Sequence, residues 1–332
     1  MSIVWEHERC LVTGGAGFGG GHLCLRLLSL GARVCVLDLD FPASGVLRLS
    51  GSEARVKAAR GDARDLDSVR RIIDEQGIGT VFHLAAQPLV TLSNELPFET
   101  LHNNALGTYA VLEAARTARK PPRVVFASSG AYYGTTTSQD PIAEDAAPLP
   151  AANIYAPSKV AGDAAARSYA KTFGLRTVVC RFMNTYGPGD SNFSRIVPRT
   201  ARLLLTGASY DFGGRDDGTT VLEYLHVRDM AQAYLSAAAH ADEEPGEAFN
   251  FGGGRPLSTR ELARLASRVF DGKDREPVFS GPRREVPLSK LLDTRKAASR
   301  LGWKPEIPLE KGLEETFAWY REHLGKYPDS PR

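Results

Sequence analysis

The stretch from Cys10 to Asp38 constrains this chain more than any other. Cys10-Leu11-Val12 reads as a short buried strand, and Thr13 leads into Gly14-Gly15-Ala16-Gly17-Phe18-Gly19-Gly20-Gly21. A helical pattern follows, with Leu23, Cys24, Leu27 and Leu28 on one side and Gly31 as a stop. Arg33-Val34-Cys35-Val36-Leu37 is then a second strand, ending on Asp38. Glycines at 14, 17 and 20 allow a tight turn, close backbone approach to a pyrophosphate and close helix–strand packing. Where the helix opens, at Phe18-Gly19, its free amides and the positive end of its dipole face the phosphates. Asp38, eighteen residues after Gly20, stands where a carboxylate accepts hydrogen bonds from adenosine ribose hydroxyls. No Arg or Lys follows at 39–41 to meet a 2′-phosphate, so NAD is expected rather than NADP. Gly19 and Gly21 are extra, and each weakens the helix start by roughly 0.5–1 kcal/mol relative to Ala.

Strands and helices keep alternating beyond Asp38. Arg55–Ala59, Thr80–Leu84, Arg123–Ala127 and Thr177–Phe182 read as further strands. Between the last three lie a long helix with Phe98, Leu101, Ala105, Tyr109 and Leu112 as its apolar face, and a helix from about Pro157. This spacing predicts an α/β fold, a Rossmann-type doubly wound parallel sheet. Ligands of such sheets lie beyond the carboxyl ends of the strands. Those ends are Gly14–Gly20, Asp38, Asp62-Ala63, Ala85-Ala86, Ser128-Ser129 and Asn184. After Tyr186-Gly187-Pro188-Gly189 the texture changes to more Gly, Pro and Arg. The expected organisation is a dinucleotide domain over 1–182, with 221–250 returning to it, and a smaller α/β substrate region over 183–332. Asp229 and Asp293 are expected to cap helices, and Ser258-Thr259-Arg260-Glu261 is a capping box.

Bulk properties exclude several classes. The chain carries 41 basic and 39 acidic residues, without a long block of either sign, so neither nucleic acid nor a membrane surface is an expected partner. The four cysteines, at 10, 24, 35 and 180, fall in apolar patterns and form no Cys-x-x-Cys pair, as buried thiols of a reducing compartment do. No apolar run reaches the ~18 residues of a membrane span. Glu6-His7-Glu8-Arg9 stands where a signal peptide would be apolar. A cytoplasmic protein is expected. His22, His83, His102 and His226 show no ligand spacing, and no metal is expected.

Tyr155-Ala156-Pro157-Ser158-Lys159 places a phenol and an ammonium four residues apart, on one helix face. A phenol of ordinary pKa near 10 is a poor base at neutral pH. A neighbouring lysine and a cationic nicotinamide favour the phenolate. Ser128-Ser129, at the end of the fifth strand, offers a hydroxyl to hold a reacting oxygen beside Tyr155.

The Gly-x-x-Gly-x-x-Gly loop with Thr-Gly-Gly-Ala-Gly-Phe wording, together with Tyr155 and Lys159, resembles the extended short-chain dehydrogenase/reductases that rework nucleotide sugars. Ser128-Ser129-Gly130-Ala131-Tyr132-Tyr133-Gly134 looks like the run of the UDP-galactose 4-epimerase branch, and makes Ser129 the matching catalytic hydroxyl. The resemblance covers nearly the whole chain. It implies that Asp62-Ala63 contacts adenine, that Leu84-Ala85-Ala86-Gln87 lines the cofactor, and that Asn104 and Ser128 belong to the same site. It implies that Asn184 contacts the nucleotide sugar and that two copies pair as a homodimer through helices around 98–118 and 157–173.

Two departures bear on the reaction. The 4,6-dehydratase branch carries an acid–base pair where this chain has Gly130-Ala131, although His83–Val90 reads more like the CDP-glucose 4,6-dehydratase branch. Many members carry a diphosphate-binding arginine where this chain has Leu222, so Arg215, Arg283 or Arg284 is expected to supply the charge. The resemblance implies 4-epimerisation through a 4-keto sugar. The alternatives are a 4,6-dehydratase or 4-ketosugar reductase and, from another class, a dinucleotide-sensing regulator.

Overall fold

The computed structural model describes residues 3–328, so the outermost residues of the two expected domain ranges lie outside the described residues. The described strands are β1 (Arg9–Thr13), β2 (Arg33–Asp38), β3 (Lys57–Arg60), β4 (Thr80–His83), β5 (Arg123–Ser129) and β6 (Thr177–Phe182). They continue with β7 (Asn184–Tyr186), β8 (Val221–Leu222), β9 (Tyr224–His226), β10 (Glu247–Phe251), β11 (Leu257–Ser258) and β12 (Ser289–Lys290). One seven-stranded sheet runs β10-β6-β5-β4-β1-β2-β3, and every pairing in it is parallel.

Both faces of this sheet are covered except at its edge, where β3 is largely exposed, and the other strands are accordingly apolar on both sides. Alternate residues feed two cores. Cys10, Val12, Val34, Val36 and Val125 enter one, while Leu11, Cys35, Leu37, Val124 and Phe126 enter the other. All four cysteines are free and buried. The chain steps outward from β1 to β2 and β3, then resumes with β4 on the opposite side of β1. That reversal opens a crevice at the carboxyl ends of β1 and β4.

The return to the large sheet runs through the helix Val227–His240, which packs on Phe18–Ser29 and leads β10 to β6. The remaining strands form two small sheets, β11-β8-β12 and β7-β9. A separate core of Tyr186, Phe193, Leu262, Leu313, Phe317 and Tyr320 supports them.

Local differences from the sequence expectations have physical causes. The long helix after β4 is broken into Val90–Glu95, Pro97–Leu101, a π turn over His102–Leu106, and Gly107–Thr117. The break turns the expected apolar face outward, leaving Phe98 73% exposed and Leu101 and Tyr109 exposed, while Leu112 is buried. The helix after β5 starts at Tyr155, where Pro157 falls in the first turn and costs no hydrogen bond. His226, not Asp229, caps Val227–His240 through its Nδ1, which accepts from Arg228 N at 3.3 Å. Asp229 instead accepts from the amides of Glu306 and Ile307 at 3.2 and 3.1 Å. Asp293 lies one residue before the observed cap, Thr294. The Ser258–Glu261 capping box is present. No described helix is long and apolar enough to cross a membrane.

Candidate active site

β1 runs directly into the glycine loop. Gly14 has φ 73°, and a Cβ there would lie 2.7 Å from Ala85 N beyond β4. Only glycine crosses the switch point at that distance. At Gly20 a Cβ would collide with the Gly14 carbonyl oxygen. Gly17 is exposed, and a Cβ on it would meet only that oxygen, at 3.3 Å. The helix it begins has no side-chain cap and no acid in its first turn, so its leading amides are open to an anion. These features fit a dinucleotide pyrophosphate. The two extra glycines have a packing cause: a Cβ on Gly19 would lie 3.0 Å from Met230 Cε, and one on Gly21 2.8 Å from Val46 Cβ.

Asp38 is fixed by this loop. Its Oδ2 accepts from Ala16 N at 2.9 Å and its Oδ1 from Leu39 N at 2.8 Å. Burial raises its pKa, and the loop amides oppose the rise. Each oxygen keeps acceptor capacity for a ribose hydroxyl. Asp62 accepts from Arg64 Nε and Arg64 N, both at 2.8 Å, and the guanidinium holds its pKa below the ordinary value. Ala63 beyond β3, and Leu84, Ala85, Ala86 and Gln87 beyond β4, are all partly exposed.

Two expected site residues stand behind the cleft. Asn104 is buried: its Oδ1 accepts from Gln87 N at 2.7 Å, and its Nδ2 donates to Gln87 O at 3.0 Å and Ser158 Oγ at 2.9 Å. It therefore holds the Leu84–Gln87 loop. Ser128 is also buried and donates to Asp163 Oδ2 at 2.8 Å. His83 bridges Thr13 Oγ1 at 2.7 Å and Thr108 Oγ1 at 3.2 Å, and burial lowers its pKa to about 3. It is a neutral structural histidine.

Ser129, Tyr155 and Lys159 are brought together by β5 and the helix Tyr155–Phe173. The Lys159 ammonium is buried, donates to Ala127 O at 2.8 Å and lies 5.9 Å from the Tyr155 ring centroid. Burial lowers its pKa to about 8. Burial also raises the Tyr155 pKa, opposed by a hydrogen bond with Ser129 and by the charge of Arg195. The acidifying protein groups are thus Ser129 and Arg195, with Lys159 turned toward the backbone. Arg195 was not legible in sequence: it stands at the start of Ile196–Thr206, paired with Asp190 at 3.2 Å.

Beneath these groups Arg181 and Asp163 form a fully buried bidentate pair, Nε–Oδ2 2.8 Å and Nη2–Oδ1 2.9 Å. Arg181 Nη1 also donates to Tyr133 Oη at 2.6 Å, and that hydroxyl donates to Asn250 Oδ1 at 2.8 Å. The pair joins the catalytic helix to β6 and to the turn after Ser129. In that turn, Met183 sulfur fills the space a side chain at Gly130 would need.

Beyond β6, Asn184 is exposed and donates to Glu223 O at 3.2 Å. Arg215 is exposed, and Arg284 faces Asp217 at 3.7 Å and Asp216 at 3.8 Å. Glu223 is buried and accepts from Gly254 N and Leu292 N, both at 2.7 Å. Among the described residues no cluster of three or more His, Cys, Asp or Glu is placed to hold a metal ion.

A model of the NAD dependent epimerase/dehydratase family matches residues 10–252. The UDP-glucose 4-epimerase of Halalkalibacterium halodurans is 32% identical over 338 residues, covering 96% of this chain and 97% of its own. The solved UDP-glucose 4-epimerase of Thermotoga maritima, with UDP-glucose, has a TM-score of 0.83 at 30% identity, covering 95% of this chain and 99% of that one. The dTDP-glucose 4,6-dehydratase of Streptomyces venezuelae, solved with NAD bound, has a TM-score of 0.84 at 30% identity, covering 96% and 98%. With a glycine loop shaped for a pyrophosphate and Ser129, Tyr155 and Lys159 brought together, the chain belongs to the NAD dependent epimerase/dehydratase family, as an NAD-using enzyme.

Proposed function

We propose that the protein is an isomerase that inverts carbon 4 of a nucleotide sugar through a transient 4-keto sugar. Gly130 carries this reading. A 4,6-dehydratase must take a proton from carbon 5 and give one to the departing hydroxyl at carbon 6, which needs titratable groups beside the reacting sugar. Gly130 and Ala131 have none. Epimerisation needs only a proton and a hydride that leave and return.

The glycine loop, Asp38, Asp62 and Lys159 would hold NAD, which would supply reversible hydride acceptance at carbon 4. Tyr155 takes the proton from the 4-hydroxyl and later returns it. Ser129, hydrogen-bonded to Tyr155, positions the reacting oxygen. The cation of Arg195 favours the phenolate while the proton is away. On the same reading the exposed Phe98, Leu101, Tyr109 and Phe173 are where two copies pair.

Incubation with UDP-, dTDP-, CDP- and GDP-sugars, followed by NMR, tests the proposal. A carbon-4 epimer without net NADH change is expected. A 4-keto-6-deoxy product, or stoichiometric NADH consumption, would replace it with the dehydratase or reductase.

A further inference from the structure

The π turn His102–Leu106 carries two polar side chains with different partners. Such turns inside helices recur at functional sites. Asn104 holds the Leu84–Gln87 loop. His102 takes no part in that network, and its Nδ1 lies 2.7 Å from Arg64 Nη1. A guanidinium has N–H donors and no acceptor, so Nδ1 must accept and the ring proton is on Nε2. Phe98 stacks on the imidazole, with centroids 5.8 Å apart and planes 19° from parallel, which fixes the ring plane.

With Nη1 engaged by His102, the other edge of the guanidinium faces Asp62. Arg64 Nε donates to Asp62 Oδ2 at 2.8 Å, and Nη2 donates to the same oxygen. Arg64 N donates to Asp62 Oδ1 at 2.8 Å. Oδ1 thus keeps acceptor capacity, on a carboxylate that is partly exposed and held in one orientation. Asp62 follows β3, which pairs with β2 so that Arg60 stands opposite Asp38. Asp38 takes the ribose hydroxyls on the reading above, and the base on that ribose falls among the adjoining strand ends. A carboxylate only accepts, and the exposed N–H donor of adenine is its 6-amino group.

We propose that His102 is a positioning residue for the cofactor: through Arg64 it aims the Asp62 carboxylate at the adenine 6-amino group, and so sets the preference for adenine over a base with a carbonyl there. The assignment rests on Asp62 holding NAD. His102 itself acts at a distance from the base, as an acceptor that Arg64 needs.

Titration calorimetry of the cofactor-free protein with NAD and with nicotinamide hypoxanthine dinucleotide tests it. Wild type should bind NAD about 10-fold or more tightly than the analogue, the scale of a hydrogen bond to a charged group. His102→Phe keeps a ring to stack on Phe98 but has no acceptor, and should lose most of that preference. His102→Asn has an amide oxygen to accept from Arg64 but no ring, and should retain it. The reverse pattern, an undiminished preference in His102→Phe, or equal weakening toward both dinucleotides would overturn the assignment and leave Asp62 at the cofactor. Asp62→Ala should abolish the preference. A preference that survives there, or none in wild type, would remove Asp62 from the base and overturn the inference with it.

Discussion

The sulfur of Met183 occupies the volume into which a side chain at Gly130 would project. These residues are far apart in the chain, and a side chain at 130 would have to displace the thioether. Gly130→Asp should therefore cost about 1–3 kcal/mol of stability, the scale of an overpacked site. Urea unfolding measures it. Gly130→Asp with Met183→Ala should regain much of the loss, and an unaltered midpoint in the single variant would show that the space is open.

Tyr155 is held above its ordinary pKa by burial in the cofactor-free protein. Oxidised nicotinamide brings a positive charge, which favours the phenolate. The phenol should therefore ionise at lower pH with NAD than without it. The wild-type minus Tyr155→Phe ultraviolet difference, followed against pH, reports this. Tyr155→Phe should bind NAD normally while turnover falls at least ~10²-fold. Near-normal turnover would remove Tyr155 from the chemistry.

Lys159 has its pKa lowered to about 8 in the fold, against about 10.4 unfolded. Between these values the unfolded chain binds more protons, so the Lys159 contribution to stability rises with pH across that window and is least below pH 8. Urea unfolding of cofactor-free wild type and Lys159→Met at pH 7.5 and 9.5 (~2 units apart, one below the window and one inside it) isolates it. The stability of wild type relative to the variant should increase with pH. A pH-independent difference would mean that the ammonium is not desolvated.

Asp163 and Arg181 are both fully buried. Removing one partner of such a pair leaves the other charge uncompensated, typically at 3–5 kcal/mol. Asp163→Ala should lose about that much in chemical denaturation. A loss below ~1 kcal/mol would show that water reaches the guanidinium.

The glycine loop, Asp38 and the Tyr155–Lys159 pair were legible because each is written within one local unit of backbone. What sequence spacing hid was set by tertiary packing. Asp229 is a chemically reasonable cap, but amides 77 and 78 residues away claim its carboxylate. Phe98 and Tyr109 follow a helical period, but the π turn between them rotates their face into solvent. Arg195, just ahead of a helix outside the large sheet, acts on Tyr155 by its charge. Asn104 and Ser128, expected at the cofactor, are buried and bonded to Gln87 and Asp163.

The most direct measurement follows the hydrogen at carbon 4. A nucleotide sugar deuterated there, incubated with the NAD-loaded enzyme and read by NMR, should yield the epimer with deuterium still on carbon 4. Deuterium found at carbon 6 of a deoxy product, or left on released NADH, would contradict epimerisation.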